Sequence, residues 1–169
     1  AIVSAPTTGN LTDHIVDNAQ TNPSKVVFSL QRGDAWVGVT AAQFLDEVKA
    51  IAKGIVASGV QAGERVGVMS RTRYEWTLVD YAIWYAGGIS VPVYETSSAE
   101  QVAWNLTDSG AVALFAESGK NKAVFDQVAP DLPDVTRVWV FDNDDLEPLK
   151  ASGVGVSDDE LEARRATVQ

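Results

Sequence analysis

The sequence has no cysteine, one histidine and one methionine in 169 residues. Without cysteine there are no disulfides, no thiolate metal sites and no thiol nucleophile, and only His14 could act as an imidazole base. Basic charge is scarce as well: 13 Lys and Arg face 23 Asp and Glu, a formal net charge of −10. That sign repels phosphate backbones and argues against nucleic acid as a partner. Long hydrophobic runs are missing. The longest uncharged apolar stretch, Tyr81 to Tyr94, is broken by Gly87, Gly88 and Pro92 and falls short of the roughly 20 residues of a membrane-spanning helix. Ala1 to Asn10 carry neither a basic n-region nor an apolar h-region, so a cytoplasmic location is expected.

What is present is ordinary globular composition, 46% apolar and 21% charged. A chain of this length buries about 70% of its unfolded surface and needs no staples. Charge is unevenly placed: residues 126–162 hold eleven acids and two bases, residues 1–125 twelve acids and nine bases.

Punctuation and periodicity set the expected elements. After a tail over 1–10, Asn10 is placed to cap a short helix ending near Asn22 and Pro23. Val26 to Leu30 and Trp36 to Val39 read as a hairpin turning over Gln31 to Asp34. Thr40 with Gln43 forms a capping box for a helix whose Phe44, Val48, Ile51 and Ile55 keep helical spacing up to Gly59. Strands then alternate with helices: 65–70, 73–86, 89–93, 98–108, 111–116, 120–128 and 137–141. That alternation predicts an α/β fold, a mostly parallel sheet flanked by helices with an N-terminal hairpin. The helix over 73–86 is apolar around most of its circumference, which points to cover by a partner subunit, hence a homodimer, or by further chain. Residues 142–169 read as an acidic, exposed linker and a short charged helix.

Several motifs are better explained by local structure. Arg32-Gly33-Asp34 sits where the hairpin must turn, and the Asn10 and Asn105 glycosylation triplets need an export signal. Gly119-Lys120 would need Gly at 114 and Ser or Thr at 121 to end a phosphate loop, but Leu114 and Asn121 stand there. Gly59, Gly63 and Gly67 precede a strand, whereas a dinucleotide fingerprint follows one. Asp142, Asp144 and Asp145 read as a solvated loop rather than a metal site. No nucleophile and base pair emerges, and no metal site is expected.

Open α/β sheets bind ligands outside the carboxyl ends of their strands. Two segments fall there, Ser70 to Trp76 and Tyr94 to Ser98, which makes Arg71, Arg73, Glu75, Tyr94 and Thr96 candidate cleft-edge residues. Ser70 or Thr72 could cap the following helix, with Glu75 complementing its dipole.

These segments also carry a resemblance. Gly63-Glu64-Arg65-Val66, Ser70 to Trp76, and Gly87 to Val102 with its Val-Pro-Val-Tyr-Glu-Thr core resemble, in wording and order, the N-terminal part of AMP-forming long-chain fatty-acid–CoA ligases of the adenylate-forming superfamily. The resemblance runs from about Leu11 through Phe141. It implies a parent enzyme that uses ATP and Mg2+ to adenylate a fatty acid and then transfers the acyl group to coenzyme A, with possible peripheral membrane contact. It also implies that residues 11–141 are the N-terminal α/β subdomain, that 142–169 lead toward the phosphate loop, and that the catalytic groups lie in the remainder of the ligase chain. No catalytic or cofactor-binding residue can be assigned to this chain, so the piece alone is expected to be inactive. The other reading is a stand-alone doubly wound binding module without ligase chemistry.

Overall fold

The computed structural model describes residues 9–167. The first helix, α1, spans Asp13–Thr21, and the hairpin pairs β1 (Val26–Arg32) with β2 (Ala35–Thr40). Then come α2 (Ala41–Ala57), β3 (Arg65–Met69), α3 (Tyr74–Tyr85), β4 (Ile89–Val93), α4 (Ala99–Ser109), β5 (Ala111–Ala116), α5 (Gly119–Asp126) and β6 (Arg137–Val140). Two further helices follow, α6 (Leu146–Ser152) and α7 (Asp158–Arg165). Strands β4, β3, β5 and β6 form, in that order, a four-stranded parallel sheet with helices on both faces.

Local chemistry accounts for the element starts. Thr40 Oγ1 accepts from Gln43 N at 3.2 Å while Gln43 Oε1 accepts from Thr40 N at 2.9 Å, and Ser98 with Gln101 repeats the box at 3.3 and 2.9 Å. The hairpin turn is shorter than the tetrapeptide expected: the strands continue through Gln31 and Arg32, and Gly33 and Asp34 turn alone, Gly33 at φ +59°. Helix α1 is not capped by Asn10. Thr12 precedes it without a side-chain cap bond, and Asn10 Oδ1 instead accepts from Thr12 N at 2.9 Å. Residues 1–8 of the expected tail lie outside the described residues.

The sheet has two packed faces. Val66 and Val68 of β3 with Ala113 and Phe115 of β5 pack against α2 and α3; Met69, Val93 and Leu114 pack against Val102 and Leu106 of α4 and Phe125 of α5. Strand β4 is an outer strand. Ile89 N donates to Glu64 O at 2.8 Å, so the peptide groups of 89, 91 and 93 point toward β3 and those of 90 and 92 point away. The nitrogen facing outward at Pro92 has no hydrogen to donate.

The acidic stretch is not an exposed linker. Leu146, Leu149, Val156 and Leu161 are buried in the core that also holds α2 and α3. Helix α6 lies so close to α2 that a Cβ on Gly54 would collide with the Leu149 carbonyl, and one on Gly153 with the Gly54 backbone. Lys53 pairs with Asp158 at 2.7 Å, and Arg165 with Asp13 at 2.8 Å, tying α7 to α2 and α1. Cover for α3 therefore comes from within the chain: the sheet, α2 and α7 enclose Leu78, Val79, Ala82, Ile83 and Tyr85, and the Tyr85 hydroxyl bonds to Glu162 of α7.

Candidate functional site

At the sheet's carboxyl edge, Glu117 gathers polar groups of the loop after β3. It is the first residue after β5, only 7% exposed, and its Oε2 accepts from Arg71 N at 2.9 Å and Ser70 Oγ at 3.3 Å. Its Oε1 lies 2.7 Å from Arg71 Nε and 3.7 Å from an Arg73 Nη1. The Glu117 backbone joins neighbouring strands: its N donates to Met69 O at 2.9 Å, and its O accepts from Asp142 N at 3.0 Å.

Arg73 crosses the edge. Its Nε meets Glu75 Oε2 at 2.7 Å, its Nη1 meets Asp142 Oδ1 at 2.8 Å, and its guanidinium lies 5.9 Å from the Phe141 ring centroid. The hydrogen bond to Glu75 holds Arg73 above its ordinary pKa against the opposing effect of burial, with Asp142 adding to the rise. Burial pushes Glu75 upward, but the bond from Arg73, its own amide and the charges of Arg73 and Arg32 outweigh it and leave the carboxyl below its ordinary value. Neither Ser70 nor Thr72 caps α3; Arg73 occupies that position without a side-chain cap, and Glu75 lies in the first turn.

Two open grooves lie beside β4, separated by Tyr94, which is 82% exposed. The inner one, about 610 Å³, is lined by Arg71, Thr72, Trp76, Pro92 and Tyr94 among others. The outer one, about 690 Å³, is lined by Tyr94, Thr96, Gln101 and Trp104, the last 65% exposed. Asn121 Nδ2 donates to Glu95 O at 2.9 Å and ties this loop to the start of α5.

Of the five candidates, Arg71 and Tyr94 share the inner groove, Thr96 faces the outer one, and Arg73 and Glu75 belong to the ionic cluster, lining neither. Glu117 was not anticipated; its signal is a lone carboxylate directly after the apolar run 111–116. Asp142, read as a solvated loop residue, is the partner of Arg73. Both guanidiniums are already matched by Glu75, Glu117 and Asp142, so these residues do not fit a nucleoside triphosphate or coenzyme A. Among the described residues no group of three or more His, Asp or Glu is placed to hold a metal ion. With two guanidiniums against three carboxylates the cluster is net negative, suited to setting a loop rather than gripping phosphates. His14 shares a hydrogen bond of 2.6 Å with Tyr81 and takes no part in it.

Comparison with known proteins agrees with this architecture. The model of the AMP-binding enzyme family matches residues 15–167. A long-chain-fatty-acid–CoA ligase of Mycobacterium bovis, FadD15, is 37% identical over 163 residues, covering 95% of this chain and 27% of that protein. The chain thus spans about a quarter of the length of that relative. Among solved structures, a long-chain-fatty-acid–CoA ligase (FadD1) from Archaeoglobus fulgidus superposes with a TM-score of 0.77 at 23% identity, over 89% of this chain and 31% of that one. The N-terminal domain of FACL13 from Mycobacterium tuberculosis gives 0.74 at 21% identity, over 87% and 37%. At these identities the two structures establish the fold alone.

Proposed function

Because the chain belongs to the AMP-binding enzyme family, we propose that it is the N-terminal part of a long-chain fatty-acid–CoA ligase. The observation that carries this reading is the 37% identity to FadD15 across nearly the whole chain. The ligase condenses a fatty acid with ATP, assisted by Mg2+, to an acyl-adenylate, and passes the acyl group to coenzyme A. The work of these 169 residues is scaffolding: the Glu117 cluster fixes the loop after β3 at the rim of a cleft completed by the rest of the polypeptide.

The chain alone is inactive on this reading, because its edge cations are already neutralised by its own carboxylates. Pyrophosphate exchange with a long-chain fatty acid tests this: the full-length ligase exchanges and forms acyl-CoA, and the 169-residue chain does neither. A full-length enzyme with no long-chain acyl-CoA product overturns the proposal. We place the enzyme in the cytoplasm with peripheral membrane contact, which cell fractionation tests. Among the described residues no helix is long and apolar enough to cross a membrane. The expected homodimer now rests on the exposed Tyr94 and Trp104 beside β4 instead of on α3, and sedimentation at micromolar concentration tests it.

A further inference from the structure

The outer groove differs in kind from the ionic edge. Glu100, Trp104 and Asp108 follow at intervals of four on α4, so they share one face, and the first two line the groove. Tyr94, Thr96 and Ser97, from the turn after β4, complete it together with Gln101 and Asn105. That turn is pinned at three points: Ser97 N donates to Tyr94 O at 3.0 Å, Ser98 N to Gln101 Oε1 at 2.9 Å, and Asn121 Nδ2 to Glu95 O at 2.9 Å. Both ring-bearing segments are therefore set before a ligand arrives, which lowers the cost of binding one.

The lining chemistry selects the charge of an occupant. Two aromatic rings, Tyr94 and Trp104, stay exposed on one groove. The two amides beside them are committed to the protein: Gln101 Oε1 accepts from Ser98 N, and Asn105 Nδ2 donates to Gln101 O at 2.8 Å. Among the described residues the lining holds one charged side chain, Glu100, and no Lys or Arg. Asp108 stands one turn beyond Trp104, so the indole lies between two acids along the helix face. In a chain of net charge −10 such a groove repels carboxylates and phosphates and draws cations. An indole is the ring face that attracts a cation most strongly, and tyrosine does so as well.

We propose that the outer groove binds an organic cation of the quaternary ammonium class, with the cation against the rings of Trp104 and Tyr94 and its charge balanced by Glu100. The methyl groups of such a cation fit exposed ring faces, and its charge fits the one carboxylate of the lining. The inference stands apart from the ligase reading, since a fatty acid, ATP and coenzyme A are all anions. Failure of acyl-CoA formation would therefore reject that reading alone.

Choline is the probe. Titrated into the 169-residue chain, it should shift the Trp104 indole and Glu100 amide NMR signals saturably. The titration is run where sedimentation shows a monomer, because a second copy would compete for the same two rings. The neutral isostere of choline, with carbon in place of the quaternary nitrogen, should bind about 2–5-fold more weakly. Glu100→Gln and Trp104→Leu, both at exposed positions, should each weaken choline about 2–5-fold. No saturable shift, equal binding of the isostere, or unchanged affinity in either variant overturns the proposal. Saturation transfer from the full-length ligase to the choline methyl groups should also be seen, and its absence overturns the proposal by showing the groove covered. Phosphatidylcholine vesicles separate two sources of the cation: displacement of choline by the vesicles identifies a lipid headgroup, and no displacement identifies a free ammonium compound.

Discussion

The bond that matters most at Glu117 is the one it accepts from a backbone amide. Arg71 is 69% exposed in its side chain, so its ion pair with Glu117 contributes little. The Arg71 N–H has no other acceptor assigned and loses its partner when the carboxylate goes. Glu117→Gln keeps one acceptor oxygen and should cost about 1 kcal/mol or less, whereas Glu117→Ala should cost about 1–3 kcal/mol, both read from urea midpoints. Glu75 and Asp80 make opposite contributions with pH. Glu75 titrates below its unfolded value, so its stabilisation is present above the ordinary carboxylate pKa and is lost as pH falls through the folded value. Asp80 titrates above its unfolded value, so its penalty is relieved on acidification. Urea midpoints should therefore fall from about pH 5 downward, less steeply in Glu75→Gln and more steeply in Asp80→Asn. The strand-end rule could place Arg71 and Tyr94 beyond the ends of β3 and β4 from sequence because it needs only strand positions. Glu117 escaped it because its partners lie 46 and 47 residues away, and such a separation leaves no local pattern.

At the scale of elements, what the sequence revealed was what neighbouring residues decide. Both capping boxes form within three residues, and the alternation of strands and helices follows from periods short enough to repeat. Helix α6 was hidden, and the short charged helix expected at the C-terminal end, α7, was read as exposed, because each contributes only one or two buried leucines, too few to show a helical stripe among eight acids. The docking of α6 depends instead on the close approach of Gly54 and Gly153. Gly54→Ala should destabilise by about 1–3 kcal/mol through overpacking, despite the roughly 1 kcal/mol that alanine gains over glycine in a helix. Hydrogen exchange should show the loss of protection concentrated in residues 146–156. Unchanged exchange there would show that α2 and α6 do not depend on this contact.

For the molecule as a whole, the C-terminal segment is part of the core, even though its composition suggests a tether. Ending the chain after Ser157 removes α7 and uncovers Tyr85 and its neighbours on α3. The truncated chain should bind a hydrophobic dye and lose more stability than the about 2–5 kcal/mol expected for removing the single buried Leu161 side chain. A truncated chain with the same thermal midpoint and no dye binding would show that α3 is covered without α7. The proline in β4 acts at this scale as well. Two copies meeting side by side at this edge find a gap where a ladder rung should form, so growth of the sheet from molecule to molecule is interrupted on that side. One nitrogen without a hydrogen thus guards a parallel sheet against fibrous stacking.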